Sequence, residues 1–171
     1  EKNKSIKALE ILYDNLLSAG IQRDTVIYAY GGGVIGDLVG FAAATILRGV
    51  DFVQIPTTLL SQIDSSVGGK TAINSSYGKN LIGAFYQPKL VLIDIDTLSS
   101  LPQKQMKTGY AEMIKYAIIN DIKFFEWLEK NGKNILSKNN EHIVEAIFKC
   151  VFSKAKIVSE DEKDKNKRTL L

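Results

Sequence analysis

A short β-branched and aromatic segment, residues 25–30, leads directly into the glycine-rich turn GGGVIGD at 31–37 and then into an alanine-rich stretch that reaches residue 47. Residues 25–30 are too few for a helix and have the composition of a buried strand. Residues 34–47 predict a helix. A strand, a glycine turn and a helix in this order begin a parallel α/β unit, so this feature constrains the fold more than any other.

The turn satisfies the pattern G-x-G-x-x-G, with glycines at Gly31, Gly33 and Gly36. Glycines let a phosphate group approach the backbone, and the N–H groups of a helix N-terminus favour negative charge. Asp51 lies near the distance expected for a ribose-binding acid, but it precedes the second predicted strand instead of ending it. The turn therefore predicts phosphate binding, with a purely structural glycine turn as the alternative, and it does not indicate an ordinary dinucleotide fold.

The first hundred residues contain three further predicted elements. Leucine and isoleucine at helical spacing predict a helix over 5–19, with Gly20 at its C-cap. Apolar runs predict a strand over 52–55, which Pro56 ends, and another over 90–94.

The remainder of the chain has a different pattern of apolar and polar residues. Long amphipathic segments predict helices over 103–120, 122–130 and 141–160, separated by turns at 131–132 and 137–140. The predicted fold class is therefore α/β, with a Rossmann-like nucleotide-binding part followed by an all-helical part. The domains are expected at residues 1–100 and 101–171.

The composition is that of an ordinary globular protein. Of 171 residues, 45% are apolar and 24% charged, and the net charge of +3 comes from basic residues scattered among acids, so no nucleic-acid surface is predicted. The most apolar stretch, 34–50, contains Asp37 and Arg48, so no membrane span is predicted. The single Cys150 cannot form an intrachain disulfide, and a cytosolic location is expected.

Both ends of the chain predict an internal piece of a longer protein. The chain begins at Glu1 without methionine and ends in a run, 168–171, that is more typical of the start of an element than of a tail. His142 is the only histidine. A centre that needs two imidazoles therefore cannot be completed by this chain alone.

Several polar residues have both a functional and a structural interpretation. Thr57 and Thr58 follow the second predicted strand, where α/β sheets bind ligands, although Thr58 could equally cap a short helix. Lys70 and Lys79 lie in glycine-rich segments and suit an anionic ligand, or they are surface lysines. The first of these segments is not a phosphate-binding P-loop, because Asp64 occupies the position of its first glycine.

Glu112 and Lys115 lie three residues apart on the helix predicted over 103–120. They could be a metal ligand beside a substrate-binding cation, or a solvated salt bridge. His142 is expected at the surface and is not a predicted ligand, whereas Cys150 is expected in the core.

The order of the motifs resembles that of the 3-dehydroquinate synthase family. The motifs are GGGVIGDLVGF at 31–41, LRG at 47–49, QIPTTLL at 54–60, DSSVGGKT at 64–71, GKNLIGAFYQP at 78–88 and AEMIKY at 111–116. The resemblance extends through nearly the whole chain and is densest from 31 to 116.

The resemblance implies a cytosolic homodimeric enzyme of the shikimate pathway that forms 3-dehydroquinate and phosphate from 3-deoxy-D-arabino-heptulosonate 7-phosphate. NAD oxidises the C5 alcohol, phosphate is eliminated, the ketone is reduced again, and the opened ring closes by an intramolecular aldol reaction. A divalent metal, zinc or cobalt, acts as Lewis acid.

The resemblance also implies roles for individual residues. The NAD-binding positions are Glu1, Lys2, Asn3, Lys4, Gly33, Val34, Ile35, Gly36, Asp37, Thr57, Thr58, Lys70, Lys79, Thr97, Leu98, Ser99 and Ser100. The substrate pocket comprises Asp64, Lys70, Asn80, Lys115, Lys154 and Arg168. Arg48 matches a residue that reaches the partner subunit's substrate, and Glu112 matches the carboxylate metal ligand.

The chain also departs from the family pattern. The family's two histidine ligands follow a position equivalent to Leu171, the strands that complete its nucleotide domain are absent, and His142 aligns with neither ligand. Two alternatives to a 3-dehydroquinate synthase therefore stay open. One is a related sugar-phosphate cyclase or metal-dependent polyol dehydrogenase, and the other is an inactive fragment that serves as an assembly partner.

Overall fold

The computed structural model describes residues 1–165 and 167–170 of the chain. These residues form two compact units, the first made of Glu1–Pro56 and Gly69–Leu92 and the second of Thr57–Gly68 and Ile93–Leu171. The units differ in their bounds from the predicted domains 1–100 and 101–171, and those domains stay a prediction.

The first unit is an α/β structure. Its helices are α1 (Ile6–Ser18) and α2 (Gly33–Thr45), and its strands are β1 (Val26–Gly31), β2 (Asp51–Pro56), β3 (Lys70–Ser75), β4 (Gly78–Phe85) and β5 (Leu90–Val91). The three strands β1, β2 and β5 form a parallel sheet in the order β1-β2-β5. The predicted α/β class is confirmed.

Helix α2 packs closely on the sheet. Ala43 is fully buried in a cluster with apolar residues of β1 and β2. A Cβ added to Gly36 would lie 2.0 Å from Nε2 of the Gln54 side chain on β2. The third glycine of the turn therefore serves close packing between helix and strand, which is one of the roles that this glycine has in nucleotide-binding turns. The predicted strand, turn and helix are confirmed in this order.

The hairpin of β3 and β4 was not predicted from the sequence. The two strands are antiparallel, with Lys70 opposite Phe85 and Ile73 opposite Ile82. The glycines and lysines of this segment were interpreted as ligand-binding loops, because they interrupt the alternation of apolar and polar residues that marks a strand. The third predicted strand is shorter than expected, since β5 ends at Val91 and Asp94 caps the next helix by accepting from the Asp96 N–H.

The second unit is helical. It contains a π-helical turn (Ser61–Ser65), a 3-10 helix (Ile95–Ser100), α3 (Gln103–Asn120), α4 (Ile122–Leu136), α5 (Asn140–Glu160) and a second 3-10 helix (Lys167–Leu170). Its core includes Met106, Met113, Leu128 and Ile143, each at most 1% exposed. The all-helical character predicted for the end of the chain is confirmed.

The turn predicted at 131–132 is wrong. Helix α4 continues to Leu136, because Gly132 lies where it touches α3: a Cβ there would be 2.4 Å from the hydroxyl oxygen of Tyr110. That hydroxyl donates to the Leu128 carbonyl over 2.8 Å. The glycine therefore marks a close contact between helices and not a break.

Two predictions about single residues can be compared with the structure. Cys150 is fully buried, as expected for a core thiol. His142 is half-buried instead of exposed, because its ring stacks on Trp127 and its Nδ1 lies 2.7 Å from Asn139 Oδ1. Among the described residues, no helix is both long and apolar enough to cross a membrane.

Candidate functional site

Asp64 lies at the centre of a polar cluster in the second unit. The Lys154 ammonium on α5 donates to Asp64 Oδ1 over 2.5 Å and to the Asp64 carbonyl over 2.6 Å. The Tyr116 hydroxyl on α3 donates to the same Oδ1 over 2.6 Å. The structure therefore brings together two predicted substrate-pocket residues, Asp64 and Lys154, and adds a tyrosine that the sequence analysis missed.

The local backbone explains how Asp64 reaches this position. The segment begins with a cap in which Thr58 Oγ1 accepts from the Ser61 N–H over 3.1 Å. It then widens into a π-helical turn, closed by a bond from the Ser66 N–H to the Ser61 carbonyl. Single π-turns are rare and occur often at functional sites. The structural alternative for Thr58 is confirmed, and its proposed contact with NAD stays a prediction.

Opposing effects act on the Asp64 carboxyl. Burial raises the Asp64 pKa. The Lys154 ammonium, the hydrogen bonds from Lys154 and Tyr116, and the charge of Lys115 lower this pKa, and their combined effect is larger than that of burial. The net pKa lies below its ordinary value, so Asp64 is ionised at neutral pH. Burial and the neighbouring Asp64 charge raise the pKa of Tyr116, which keeps this phenol a hydrogen-bond donor.

A weak signal for Tyr116 was present in the sequence. It ends the motif AEMIKY, in which Glu112 and Lys115 were predicted as functional candidates because of their charges. No role was predicted for Tyr116 itself. Only its packing in the structure shows that its hydroxyl faces a carboxylate.

Arg168, another predicted substrate-pocket residue, is almost completely buried, with 2% of its surface exposed. Its guanidinium donates to the Gly68 carbonyl over 2.8 Å and to the Glu162 carbonyl over 2.6 Å. Gly68 has a φ of +103°, and a Cβ there would lie 2.2 Å from Nη2 of Arg168. Glycine is thus required twice at this position, by the backbone conformation and by the close approach of the arginine.

Glu112 and Lys115 form an ion pair on α3. Their side chains are 21% and 39% exposed, so the pair is neither buried nor fully solvated. The predicted ion pair is present, but it is only partly solvated. Among the described residues, no group of three or more His, Cys, Asp or Glu side chains could hold a metal ion, so Glu112 as a ligand stays a prediction.

A second cluster of predicted residues lies in the first unit. Lys4 is 4% exposed, and its ammonium forms an ion pair with Asp37 and donates to Asn80 Oδ1 over 2.5 Å. Asp37 lies 33 positions and Asn80 lies 76 positions after Lys4 in the chain. The structure thus joins two predicted NAD-binding residues to a predicted substrate-pocket residue.

A cavity of about 430 Å³ adjoins this cluster and is lined by Asp37, Lys70, Asn80 and β4 residues. Asn80 has a φ of +60°, and its N–H donates to Asn74 Oδ1 over 3.1 Å. Asparagine tolerates this left-handed conformation better than most residues. The cavity therefore gathers three of the residues that the sequence analysis assigned to cofactor or substrate.

The other predicted positions in the first unit are more exposed. Glu1 Oε1 accepts from Asn74 Nδ2 over 3.0 Å, and this bond lowers the Glu1 pKa, with smaller help from the charges of Lys79 and Lys4. Lys2, Asn3 and Lys79 are exposed.

The glycine turn is accessible, since Gly33 and Val34 at the start of α2 are partly exposed and Ile35 is 38% exposed. The backbone N–H groups of this first helical turn suit an anion. Arg48 is exposed, with a φ of +67° in the tight turn after α2.

The remaining predicted NAD positions lie in the second unit. Thr57 is partly exposed, and Thr97 Oγ1 donates to the Asp94 carbonyl over 2.6 Å. The Leu98 side chain is 1% exposed and belongs to the core. Ser99 and Ser100 are exposed, and the Ser99 carbonyl accepts from Lys138. Their contacts with a cofactor stay predictions.

Two family models together match the whole chain. The model described as 3-dehydroquinate synthase N-terminal matches residues 1–108, and that described as 3-dehydroquinate synthase C-terminal matches residues 109–171. The chain belongs to the 3-dehydroquinate synthase family. The resemblance inferred from the motifs is confirmed.

Similar proteins agree with this membership. The chain is 53% identical to a 3-dehydroquinate synthase of Rhodospirillum rubrum and 54% identical to one of Caulobacter vibrioides, in each case over all 171 residues. It covers 44% and 46% of those proteins, so it spans about half the length of the curated relatives that it matches.

Solved structures of sugar-phosphate cyclases match as well. ValA, a 2-epi-5-epi-valiolone synthase of Streptomyces hygroscopicus solved with NAD⁺ and Zn²⁺, is 28% identical with a TM-score of 0.93 over 97% of this chain and 47% of its own. A 2-deoxy-scyllo-inosose synthase solved with carbaglucose-6-phosphate, NAD⁺ and Co²⁺ is 34% identical with a TM-score of 0.89 over 99% of this chain and 46% of its own.

Proposed function

We propose that the polypeptide containing these residues is a 3-dehydroquinate synthase, which converts 3-deoxy-D-arabino-heptulosonate 7-phosphate to 3-dehydroquinate and phosphate. The observation that carries the proposal is the 53–54% identity with curated enzymes of that name across all 171 residues. Solved cyclases with other names are 28–34% identical to the chain.

NAD is the proposed cofactor, and when bound it takes a hydride from the C5 alcohol of the substrate and later returns it. The chain supplies a helix N-terminus at Gly33 for the pyrophosphate. The cavity beside Asp37 and Lys70 provides a carboxylate and an ammonium for the rest of the cofactor. The buried Lys4 holds Asp37 in place.

The substrate is anionic, and the second unit has cations suited to it. Lys154 and Arg168 are buried and held by several hydrogen bonds. Lys115 on α3 is partly exposed, and its charge acts on Asp64. Ammonium and guanidinium groups whose positions are fixed bind phosphate and carboxylate with little loss of conformational entropy. Asp64, ionised beside Lys154, can accept hydrogen bonds from the hydroxyl groups of the substrate.

The described residues do not form a metal centre by themselves. Glu112 is one carboxylate, and it is paired with Lys115. A tetrahedral site needs three or four ligands, so Glu112 could serve zinc or cobalt only together with residues beyond those described.

The proposed enzyme is a cytosolic homodimer in which Arg48 reaches the active site of the partner. Arg48 is exposed on a tight turn whose backbone is left-handed at Leu47 and Arg48, which supports a projecting side chain.

The test of the proposed function is phosphate release from the heptulosonate phosphate by the purified full-length polypeptide with NAD and zinc. The Lys154→Ala variant is expected to lose at least about a hundredfold in kcat/KM, because a fixed charge that contacts the substrate is removed. Lys156→Ala is the matched control, since Lys156 is an exposed lysine on the same helix. Equal activity of the two variants would remove Lys154 from the site.

The same assay distinguishes the alternatives. Release of phosphate from a different sugar phosphate, with none from the heptulosonate phosphate, would indicate a related cyclase. Oxidation of a polyol without phosphate release would indicate a polyol dehydrogenase. A chain of 18.9 kDa that releases no phosphate, but restores activity to a complementary fragment, would be an assembly partner.

A further inference from the structure

The tyrosine that the sequence analysis missed has a hydroxyl placed against a single oxygen of a proposed substrate-pocket carboxylate. Tyr116 is 1% exposed, and its hydroxyl lies 2.6 Å from Asp64 Oδ1. Lys154 donates to the same oxygen over 2.5 Å. Among the described residues, both side-chain hydrogen bonds to Asp64 therefore end on Oδ1, and Oδ2 keeps its lone pairs for a ligand.

We infer that Tyr116 is a positioning residue: its buried hydroxyl fixes the Asp64 carboxylate in one orientation, with Oδ2 presented to the substrate. The inference rests on the proposed function, in which Asp64 belongs to the substrate pocket. A tyrosine suits this task because its ring is buried in the core of the second unit while one donor remains at its tip. Met113 and Ala117, its neighbours on α3, are fully buried.

The arrangement has a consequence for Lys154. That ammonium also donates to the Asp64 carbonyl, and in the proposed reaction it contacts an anionic substrate. A lysine that also donates to a substrate shares its charge between two partners, which weakens its bond to the carboxylate. Tyr116 is uncharged and buried, and its hydrogen bond keeps the carboxylate ionised and oriented while the lysine also binds the substrate.

A second tyrosine on the same helix provides a comparison. The Tyr110 hydroxyl donates over 2.8 Å to a backbone carbonyl, that of Leu128 on α4. This bond ties two helices together, and the hydroxyl donates to no carboxylate, although burial and the Glu129 charge raise the Tyr110 pKa. Loss of the Tyr110 hydroxyl therefore affects stability alone, whereas loss of the Tyr116 hydroxyl is expected to affect the carboxylate as well.

The titratable and charged groups around Asp64 come from two helices. Helix α5 contributes Lys154 and Cys150, and α3 contributes Tyr116, Lys115 and, farther away, Glu112. Burial raises the pKa of Cys150 to about 12, with smaller contributions from the Asp64 and Glu112 charges, so its thiol does not titrate in the range of the test. The Tyr116→Phe substitution leaves every charge among these groups in place.

The experiment uses Tyr116→Phe and Tyr110→Phe variants of the full-length polypeptide, with the pH dependence of kcat/KM for phosphate release as readout. Tyr116→Phe is expected to move the acid limb of the profile upward by about one pH unit, since a hydrogen bond to a charged group is lost. Tyr110→Phe is expected to leave the limb unmoved. Equal profiles for Tyr116→Phe and the unsubstituted protein would overturn the inference.

A readout that needs no activity separates this inference from the proposed function. The Asp64 carboxyl is titrated by ¹³C NMR in protein labelled at aspartate Cγ, and Asp64→Asn assigns its signal. Tyr116→Phe is expected to raise the Asp64 pKa, and an unchanged pKa overturns the inference whether or not the protein releases phosphate. Absence of phosphate release from the unsubstituted protein, together with a raised pKa in the variant, overturns the proposed function alone.

A further variant covers the possibility that Tyr116→Phe does not fold. Fluorotyrosine incorporated at position 116 keeps the shape of the side chain and makes the phenol more acidic, and therefore a stronger donor. It is expected to shift the Asp64 titration in the opposite direction, to lower pH. A shift in the same direction as that of phenylalanine, or no shift, would contradict the role of the hydroxyl.

Discussion

Each of the two compact units buries one lysine against one aspartate, and the two pairs are built differently. In the first unit, Lys4 pairs with Asp37 and also donates to Asn80. In the second unit, Lys154 and Tyr116 share one oxygen of Asp64. The first pair joins three distant chain segments around one ammonium, whereas the second concentrates two donors on one carboxylate.

The different partners of the two carboxylates indicate what each ion pair can do. A buried ion pair costs desolvation energy that its attraction only partly returns, so its presence is weak evidence for stability alone. The carboxylates of both pairs keep some access to solvent, with side chains 20% exposed at Asp37 and 28% exposed at Asp64. Both units therefore present an oriented carboxylate, and in the second a buried phenol hydroxyl shares one carboxylate oxygen with the lysine.

The largest effect is expected from removal of the buried lysines. Lys154→Ala and Lys4→Ala each remove a buried ammonium that is paired with an aspartate, and each is expected to lower the free energy of unfolding by about 3 kcal/mol. Urea denaturation measures the loss. The exposed residues Lys156 and Lys2 provide matched alanine controls, expected to change stability by less than about 0.5 kcal/mol. Losses that match those of the controls would show that the pairs are not stabilising in either unit.

The next effect concerns close packing in the second unit. Gly109→Ala would place a Cβ 2.7 Å from Cβ of Leu59, which is fully buried and cannot move without its backbone. The expected loss is about 2 kcal/mol in the free energy of unfolding, the usual cost of overpacking. Gly20→Ala is a contrasting control from the first unit, because no heavy atom of the described residues beyond its chain neighbours lies within 4 Å of its added Cβ. The cost therefore comes from its φ of +74°. A Gly109→Ala variant as stable as the unsubstituted protein would show that this helix contact is loose.

A pH effect is expected from the carboxylate of the second unit. Because the Asp64 pKa in the folded protein lies below its ordinary value of 3.8, its ionised form stabilises the fold at neutral pH. This contribution is present above the unfolded-state pKa and disappears as the pH falls through 3.8 and then through the lower folded-state value. Urea denaturation of the unsubstituted protein and of Asp64→Asn should therefore converge below about pH 4.

Asp14→Asn serves as the control for this pH effect, since Asp14 is exposed on α1. Its difference from the unsubstituted protein should stay constant over the same range. A constant difference for Asp64→Asn would mean that its charge is not stabilised in the fold.

The smallest effects are expected at helix caps. Ser5 Oγ accepts from the Ala8 N–H in the first unit, and Asn139 Oδ1 accepts from the His142 N–H in the second, each over 3.3 Å. Alanine at either position is expected to cost about 1 kcal/mol in the thermal or urea-induced unfolding of its own unit. A loss at Asn139 well above that at Ser5 would reveal an added contribution from the contact between Asn139 and the His142 ring.

Much of the fold could be predicted from local patterns. Helix α1 is indicated by its leucine spacing and by Gly20 after it, and the structure agrees with the predicted span 5–19 to within a residue at both ends. Helix α3 was predicted over 103–120, the same span as in the structure. Spacing and capping act within a few residues, so the sequence alone carries them.

The hairpin and the length of α4 could not be predicted in this way. The β3 and β4 strands pair across a turn and bury Thr71 and Ile73 in the first unit, which outweighs their poor local strand pattern. Helix α4 passes through Asn131 and Gly132, because the missing side chain of the glycine admits the Tyr110 hydroxyl. In both cases a contact between distant residues overrides a local preference.

The sequence by itself determined the family, the α/β and helical character of the two parts, and the identity of most charged candidates. These follow from motif order, periodicity and residue chemistry, which are properties of the chain alone. The tertiary structure decided which charges meet: Lys4 with Asp37 and Asn80, and Lys154 with Asp64 and Tyr116. Tyr116 and Lys154 lie 52 and 90 positions from Asp64 in the chain. They become its partners only because helix packing brings them together, and no local sequence pattern encodes a contact over such a separation.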